Sequence, residues 1–370
     1  LSYFIIDFVK FDGIIAVWFN GDIVKANRMP IKKYCLIILL LLPFTHAFGQ
    51  LHDPVNPNAS DGVKRTLNFL YDIKGRYILS GQQNYNSDLN TFSDSAKNIA
   101  GKYPAVWGTD FINWGDKDLG PQIVQEAIKK SREGYLITLM WHEGNPTHNP
   151  PYDFSKDVIG KISDEDWNQL LTPGSALNAK WLREIDVVAG YLKQLRDAGV
   201  PVLWRPYHEM NGVWFWWGNR KGENGITKLW KMMYDRYTNY HHLNNLIWVW
   251  GANGMRDIPF DEAYEYKDYY PGPGYVDVLG ADVYHFDYEQ KDYNALLALA
   301  NGKPIALTET GELPKPEILG VQPQWCWFMV WTSWLLTDNT HDRVKQVYNM
   351  PRTLSHDKVK AKLDSLNKIK

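Results

Sequence analysis

Cysteine is nearly missing from this chain of 370 residues. There are two, Cys35 and Cys326, and Cys35 lies in an apolar stretch near the N-terminus. If that stretch is removed, Cys326 has no partner for an internal disulfide, and the remainder must be held together by its core. Basic blocks are lacking as well. The net charge is −2 with 22% charged residues, which excludes a phosphate backbone as the expected partner. No apolar run is long enough for a comfortable membrane span. Neither a Gly-x-x-x-x-Gly-Lys loop nor a Gly-x-Ser-x-Gly elbow occurs. His142, Glu143 and His148 lie close in sequence, but His-Glu-x-x-His is absent and Pro146 breaks the helix that such a zinc motif needs. No metal and no cofactor are therefore expected. No Pro- or Ser-rich linker and no fixed-period repeat divides the chain.

The N-terminus reads as processing sequence. Met29-Pro30-Ile31-Lys32-Lys33 gives a basic start, Tyr34–Phe44 a short apolar core, and Ala47 and Gly49 small residues for cleavage. This predicts a signal peptide over 29–49, cut near Gly49, and a secreted or periplasmic product. Residues 1–28 are then expected to be upstream translation with no part in the fold. Residues 50–370 are expected to form one domain, taken as a monomer.

What the chain has in quantity is aromatic surface: 17 Trp and 22 Tyr. Flat rings with a polar handle suit the apolar faces of sugars and equally suit a large core. Eight mostly apolar runs follow one another: Tyr77–Gln83, Pro104–Phe111, Tyr135–Glu143, Val202–Asn211, Asn245–Asn253, Val276–His285, Pro304–Gly311 and Trp327–Trp334. They are near-continuous rather than alternating, as expected of strands buried on both faces. Helical patterns lie between them, at Gln122–Arg132, Ala176–Ala198, Gly225–His241 and Asp292–Ala300, with Ser355–Ile369 closing the chain. Strands alternating with helices predict an α/β fold, and eight of them predict a (β/α)8 TIM barrel. An open doubly wound sheet is the alternative, but the first run ends in Ser80-Gly81-Gln82-Gln83-Asn84, which is no phosphate-binding turn.

In such a barrel, chemistry sits where strands end. Those ends carry Asp110, His142-Glu143, His208-Glu209, Asp282 with Tyr284-His285, Glu309, and Trp331. Glu209 and Glu309 stand out. Cleavage of a glycosidic bond takes one carboxylic acid to protonate the leaving oxygen and one carboxylate to attack or stabilise the sugar carbon. Apolar surroundings rich in Trp would raise the pKa of Glu209 and suit it to be the acid. Arg205, placed on the same strand face as Glu209, would point at Glu309 and keep it ionised. Each residue also has a plainer reading. Arg205 and Glu209 could form a structural ion pair, Glu309 could cap a turn, His142 could be satisfied at a strand end, and Tyr284 could be core. Of Trp214, Trp216 and Trp217, only one can face a given sugar; Trp214 is the candidate and the others are packing. His241-His242 is expected at a helix end, facing its dipole. The irregular stretch Gly144–Ile162 is expected to be a substrate loop.

Trp204-Arg205-Pro206-Tyr207-His208-Glu209-Met210-Asn211-Gly212 with Trp214-Phe215-Trp216-Trp217-Gly218 resembles the signature of glycoside hydrolase family 26. Leu307-Thr308-Glu309-Thr310-Gly311 resembles the nucleophile strand of that family, and the similarity runs from Gln50 to about Tyr348. The resemblance implies a retaining endo-β-1,4-mannanase on a (β/α)8 barrel. It implies Glu209 as acid/base and Glu309 as nucleophile. It places His208 beside the 2-hydroxyl of the sugar, and His142, Arg205, Trp214, Tyr284 and Trp331 around the cleavage subsite. Asp282 resembles a carboxylate standing behind the reacting pair. After Trp331 the chain has Thr332-Ser333 where some members carry Arg. The partner implied is a β-mannan polysaccharide, with no nucleic acid and no membrane span. The same machinery acting on β-1,3-xylan or mixed-linkage glucan is one alternative. A non-catalytic carbohydrate-binding protein on this scaffold is another.

Overall fold

The computed structural model describes residues 8–11, 14–19, 22–24, 52–112 and 117–367. Within Leu1–Leu51, strands Phe8–Phe11, Ile14–Phe19 and Asp22–Val24 pair as a small antiparallel meander, Val9 opposite Ala16 and Trp18 opposite Ile23. The expected signal segment lies outside the described residues.

His52–Lys370 is a separate unit. Its sheet runs β1 (Ile78–Gln83), β2 (Val106–Asp110), β3 (Leu136–Trp141), β4 (Val202–Pro206), β5 (Leu246–Asn253), β6 (Val278–Val283), β7 (Ile305–Thr310) and β8 (Trp325–Val330). Each strand pairs in parallel with the next, and β8 returns to β1 with Trp327 opposite Leu79 and Val330 opposite Gln82. The sheet is thus closed, a (β/α)8 barrel, and closure removes the free edges that an open sheet must protect. Thr353–Leu354 adds a two-residue strand beside the start of β1.

The strands form here because their side chains are covered on both faces; all but Trp141 of β3 are buried along β1 to β8. Inside the lower barrel, Leu79, Val106, Leu136, Leu203, Val249, Val278, Ala306 and Trp327 pack together. Outside, helices cover the ring. Ser175 caps Ala176–Asp197 by accepting from the Asn178 amide, and Trp181, Ile185, Val188, Leu192 and Leu195 form its buried stripe. Gly134, at φ 101°, ends Gly120–Glu133 in the left-handed turn that favours glycine. The expected helix over Gly225–His241 is instead Ile226–Asp235 followed by a wider turn, Arg236–Tyr240. His241 stands at the end of that turn, as expected, and its ring also bonds the Asp186 carboxylate (2.7 Å).

The largest departure from the sequence reading is at β4. The strand stops at Pro206, so His208 and Glu209 are not on the pleat. Tyr207 (φ 45°) and Glu209 (φ 53°) are both left-handed, a conformation costing on the order of 1–3 kcal/mol at a non-glycine residue. Hydrogen bonds hold the turn. The Glu209 amide donates to the Gly251 carbonyl (2.8 Å), and the Gly212 amide donates to the Glu209 carbonyl (2.9 Å). The Trp217 indole donates to the His208 carbonyl (2.8 Å). Backbone strain of this kind gathers where a side chain must be aimed.

Candidate active site

The strand ends converge on a cleft of about 340 Å³ at the C-terminal mouth of the barrel. It is lined by His142, His208, Glu209, Trp214, Tyr284, Glu309 and Trp331, with Phe154 and Ile159 from the stretch after β3. Arg205 and Asp282 lie beneath, both buried.

Arg205 is the structural centre. Its guanidinium donates to Asp282 Oδ2 (3.0 Å) and to Glu309 Oε1. Glycine on neighbouring strands makes the space. A Cβ on Gly251 would press on the Arg205 side chain, and one on Gly280 would collide with Thr308. Thr308 in turn donates to Asp282 Oδ1 (2.6 Å). Glu309 receives a second donor at its other oxygen, the Tyr284 hydroxyl (2.5 Å). Burial, with the carboxylates of Glu309 and Glu209, holds the Tyr284 phenol far above its usual pKa, so it remains a donor.

Glu209 has neutral company. Trp214 Nε1 donates to Oε2 and Asn253 Nδ2 to Oε1, both at 2.7 Å. Burial and then the nearby Glu309 charge push its pKa up to about 7, while the two hydrogen bonds oppose the rise. Oxygens of Glu209, Asp282 and Glu309 lie within 4.8 Å of one another. That spacing suits a divalent cation, but Arg205 already sits between Asp282 and Glu309 as their counter-charge. His208 Nε2 lies 3.7 Å from Glu309 Oε1, and burial, then His142 and Arg205, hold its pKa well below the usual value. The ring is therefore neutral at pH 7.

His142 Nδ1 pairs with the Asp110 carboxylate, and its ring stands edge-on to His208 at 4.5 Å between centroids. Among the four aromatics Trp214–Trp217, only Trp214 hydrogen-bonds to either of the two carboxylates, Glu209. Trp216 is buried and donates to the Glu143 carbonyl (2.8 Å); Trp217 is buried beneath His208 and stacks on Phe215 at 4.4 Å. The stretch expected to be a substrate loop runs antiparallel to this segment, with Ile159 opposite Phe215 and the Gly160 amide donating to the Trp214 carbonyl (2.8 Å).

The chain and its barrel have known relatives. Residues 55–358 match the sequence model of glycosyl hydrolase family 26. The chain belongs to that family. It is 34% identical over 325 residues to a mannan endo-1,4-β-mannosidase of Thermothelomyces thermophilus, covering 84% of this chain and 64% of that one. Two mannan endo-1,4-β-mannosidases of Piromyces sp are 32% and 30% identical, and the chain spans 50% and 53% of their length. Among solved structures, GH26A from Muricauda sp. MAR_2010_75 superposes with a TM-score of 0.81 at 55% identity, over 82% of this chain and 99% of that one. A β-mannanase from a symbiotic protist of the termite Reticulitermes speratus, solved with a gluco-manno-oligosaccharide, gives 0.71 at 30% identity, over 83% and 97%.

All nine residues singled out in the sequence meet at this one site. Three of their partners, Asn253, Asp110 and Arg256, were not assigned to the site from the sequence, although Asp110 was noted at a strand end. Asn253, which donates to Glu209, ends the fifth apolar run, and a polar residue closing such a run was the available signal. Asp110 was visible at the end of β2, but nothing local tied it to His142. Arg256, whose guanidinium lies 5.0 Å from the Trp214 ring centroid, sits in an irregular segment with no pattern to mark it.

Proposed function

We propose that this protein is an exported, retaining endo-β-1,4-mannanase that cleaves internal bonds of mannan, glucomannan or galactomannan. The supporting observation is the carboxylate pair: one buried among neutral donors with its pKa up at about 7, the other held by a guanidinium and a phenol, with oxygens within 4.8 Å. Retaining glycosidases keep their carboxyl groups about 5–5.5 Å apart, whereas inverting ones leave about 6.5–9.5 Å for a water. The names of the family relatives support mannan as the polymer, and the gluco-manno-oligosaccharide bound to the protist enzyme supports glucose as well as mannose in the chain.

The sugar to be cleaved sits over Glu309. Glu309 Oε attacks the anomeric carbon as the bond to the leaving oxygen breaks, and Glu209 gives that oxygen its proton. Arg205 and Tyr284 hold the attacking carboxylate in line. The neutral His208 ring, beside Glu309, is placed to bond the sugar's 2-hydroxyl. Once Glu309 is esterified its charge is gone, and with it one of the two causes that raise the Glu209 pKa. Glu209, now ionised, takes a proton from water as the water oxygen attacks the anomeric carbon and the bond to Glu309 breaks. One charge change thus converts Glu209 from acid to base.

Proton NMR of a mannooligosaccharide digest, recorded before mutarotation, tests this reading. A newly formed β-anomer is expected; α-anomer as first product overturns retention, and no release from any mannan overturns the substrate.

A further inference from the structure

After β5 the chain turns into a short hairpin beside the cleft. The Arg256 amide donates to the Ala263 carbonyl (3.0 Å), and the Ala263 amide donates back (2.9 Å). Ala263 also bridges to Gly212, and the Tyr264 amide donates to the Asn211 carbonyl (3.0 Å), so the hairpin is tied to the segment that carries Glu209. Arg256 leans on the Trp214 ring. It is braced there by the Asp261 carbonyl (2.9 Å) and carboxylate (2.6 Å), and both residues line the catalytic cleft. One residue before Asp261, the tip presents Phe260.

Phe260 is 95% exposed and has φ 69°. A left-handed backbone at an aromatic residue is costly, and so is a phenyl ring left in water. Packing among the described residues accounts for neither. Its hairpin neighbours Arg256 and Asp261 line the catalytic cleft. Glu209 protonates the leaving oxygen, so sugars beyond the cleaved bond lie on the Glu209 side. Trp214 touches Glu209 on that side, and the hairpin packs on Trp214. The apolar face of a mannose ring suits an exposed aromatic ring, and a braced guanidinium beside it supplies donors for sugar hydroxyls.

We infer that Phe260 is a stacking platform for a β-1,4-linked mannose unit on the leaving-group side of the cleaved bond, with Arg256 forming the wall between that unit and Trp214. The inference rests on the mannanase reading above.

The test compares wild type, Phe260→Ala and Phe260→Tyr on two substrates: mannohexaose, which has sugars on both sides of the cleaved bond, and β-mannobiosyl fluoride, whose leaving group is a single atom. The readout is the ratio of kcat/KM on the two. Phe260→Ala is expected to lower that ratio about three- to tenfold, the scale of one lost ring contact, and Phe260→Tyr to restore it. An unchanged ratio in Phe260→Ala, or a loss that Phe260→Tyr does not restore, overturns the platform while leaving the mannanase reading intact. If the wild type cleaves neither substrate, that reading fails and takes this inference with it.

Discussion

Glu209 and Glu309 are the same residue type, buried to nearly the same degree (7% and 3% exposed), within a few ångströms of each other. Their companions are opposite. An indole and an amide meet Glu209; a guanidinium and a phenol meet Glu309. Glu143, next to His142, makes the contrast sharper. It is fully buried beside Tyr207 and Trp181, whose side chains both favour its ionised form. The Trp181 indole also donates to the Tyr207 hydroxyl (2.8 Å). Burial, and then Glu184, hold the Glu143 carboxyl well above its usual pKa. Burial beside another carboxylate therefore raises a carboxyl's pKa away from the cleft as well. A catalytic acid needs more: access to a cleft, and a neighbouring charge that disappears midway through the reaction.

The contrast is broken most completely by removing either carboxylate. Glu309→Ala is expected to lower turnover of mannan on the order of 10⁴-fold or more, the scale for loss of a nucleophile, measured by reducing-sugar release. Glu209→Ala is expected to lose comparably on mannan but far less on a dinitrophenyl mannobioside, whose leaving group needs no proton. Similar losses on both substrates would deny Glu209 the role of acid. Next in size is Arg205→Met. It leaves Asp282 and Glu309 buried without their counter-charge, and a loss of about 3–5 kcal/mol in urea unfolding is expected. A change below about 1 kcal/mol would show that the ion pair is not what holds the centre.

The smallest effects concern pH. Glycosylation needs Glu209 protonated, so kcat/KM is expected to fall as pH rises through about 7. Trp214→Phe removes a donor that favours the ionised form. The Glu209 pKa then rises, and the alkaline limb moves to higher pH. A limb that stays put or moves down would mean that another group sets it.

The barrel was legible because strands covered on both faces leave unbroken apolar runs, and because helix stops such as Gly134 punctuate them. The two glutamates were legible because each stands near the end of such a run. The pleat argument for Arg205 and Glu209 does not hold, although Arg205 does reach Glu309. Pro206 ends the strand, and two left-handed residues, not strand alternation, aim Glu209. Sequence period says nothing about a turn held by distant partners such as Gly251. The pairings of Asn253 with Glu209 and of Asp110 with His142 were hidden for the same reason: the partners come from neighbouring strands, far away in sequence.

The central claim is the division of roles between the two carboxylates. It is tested most directly by inactivating the enzyme with a 2-deoxy-2-fluoro-β-mannobiosyl fluoride and mapping the adduct by peptide mass spectrometry. The fluorine at C2 slows both formation and release of the glycosyl-enzyme, and the good anomeric fluoride leaving group keeps formation the faster of the two. A single adduct on Glu309 is predicted. An adduct on Glu209, or no adduct from an enzyme that releases α-configured product, would contradict the account.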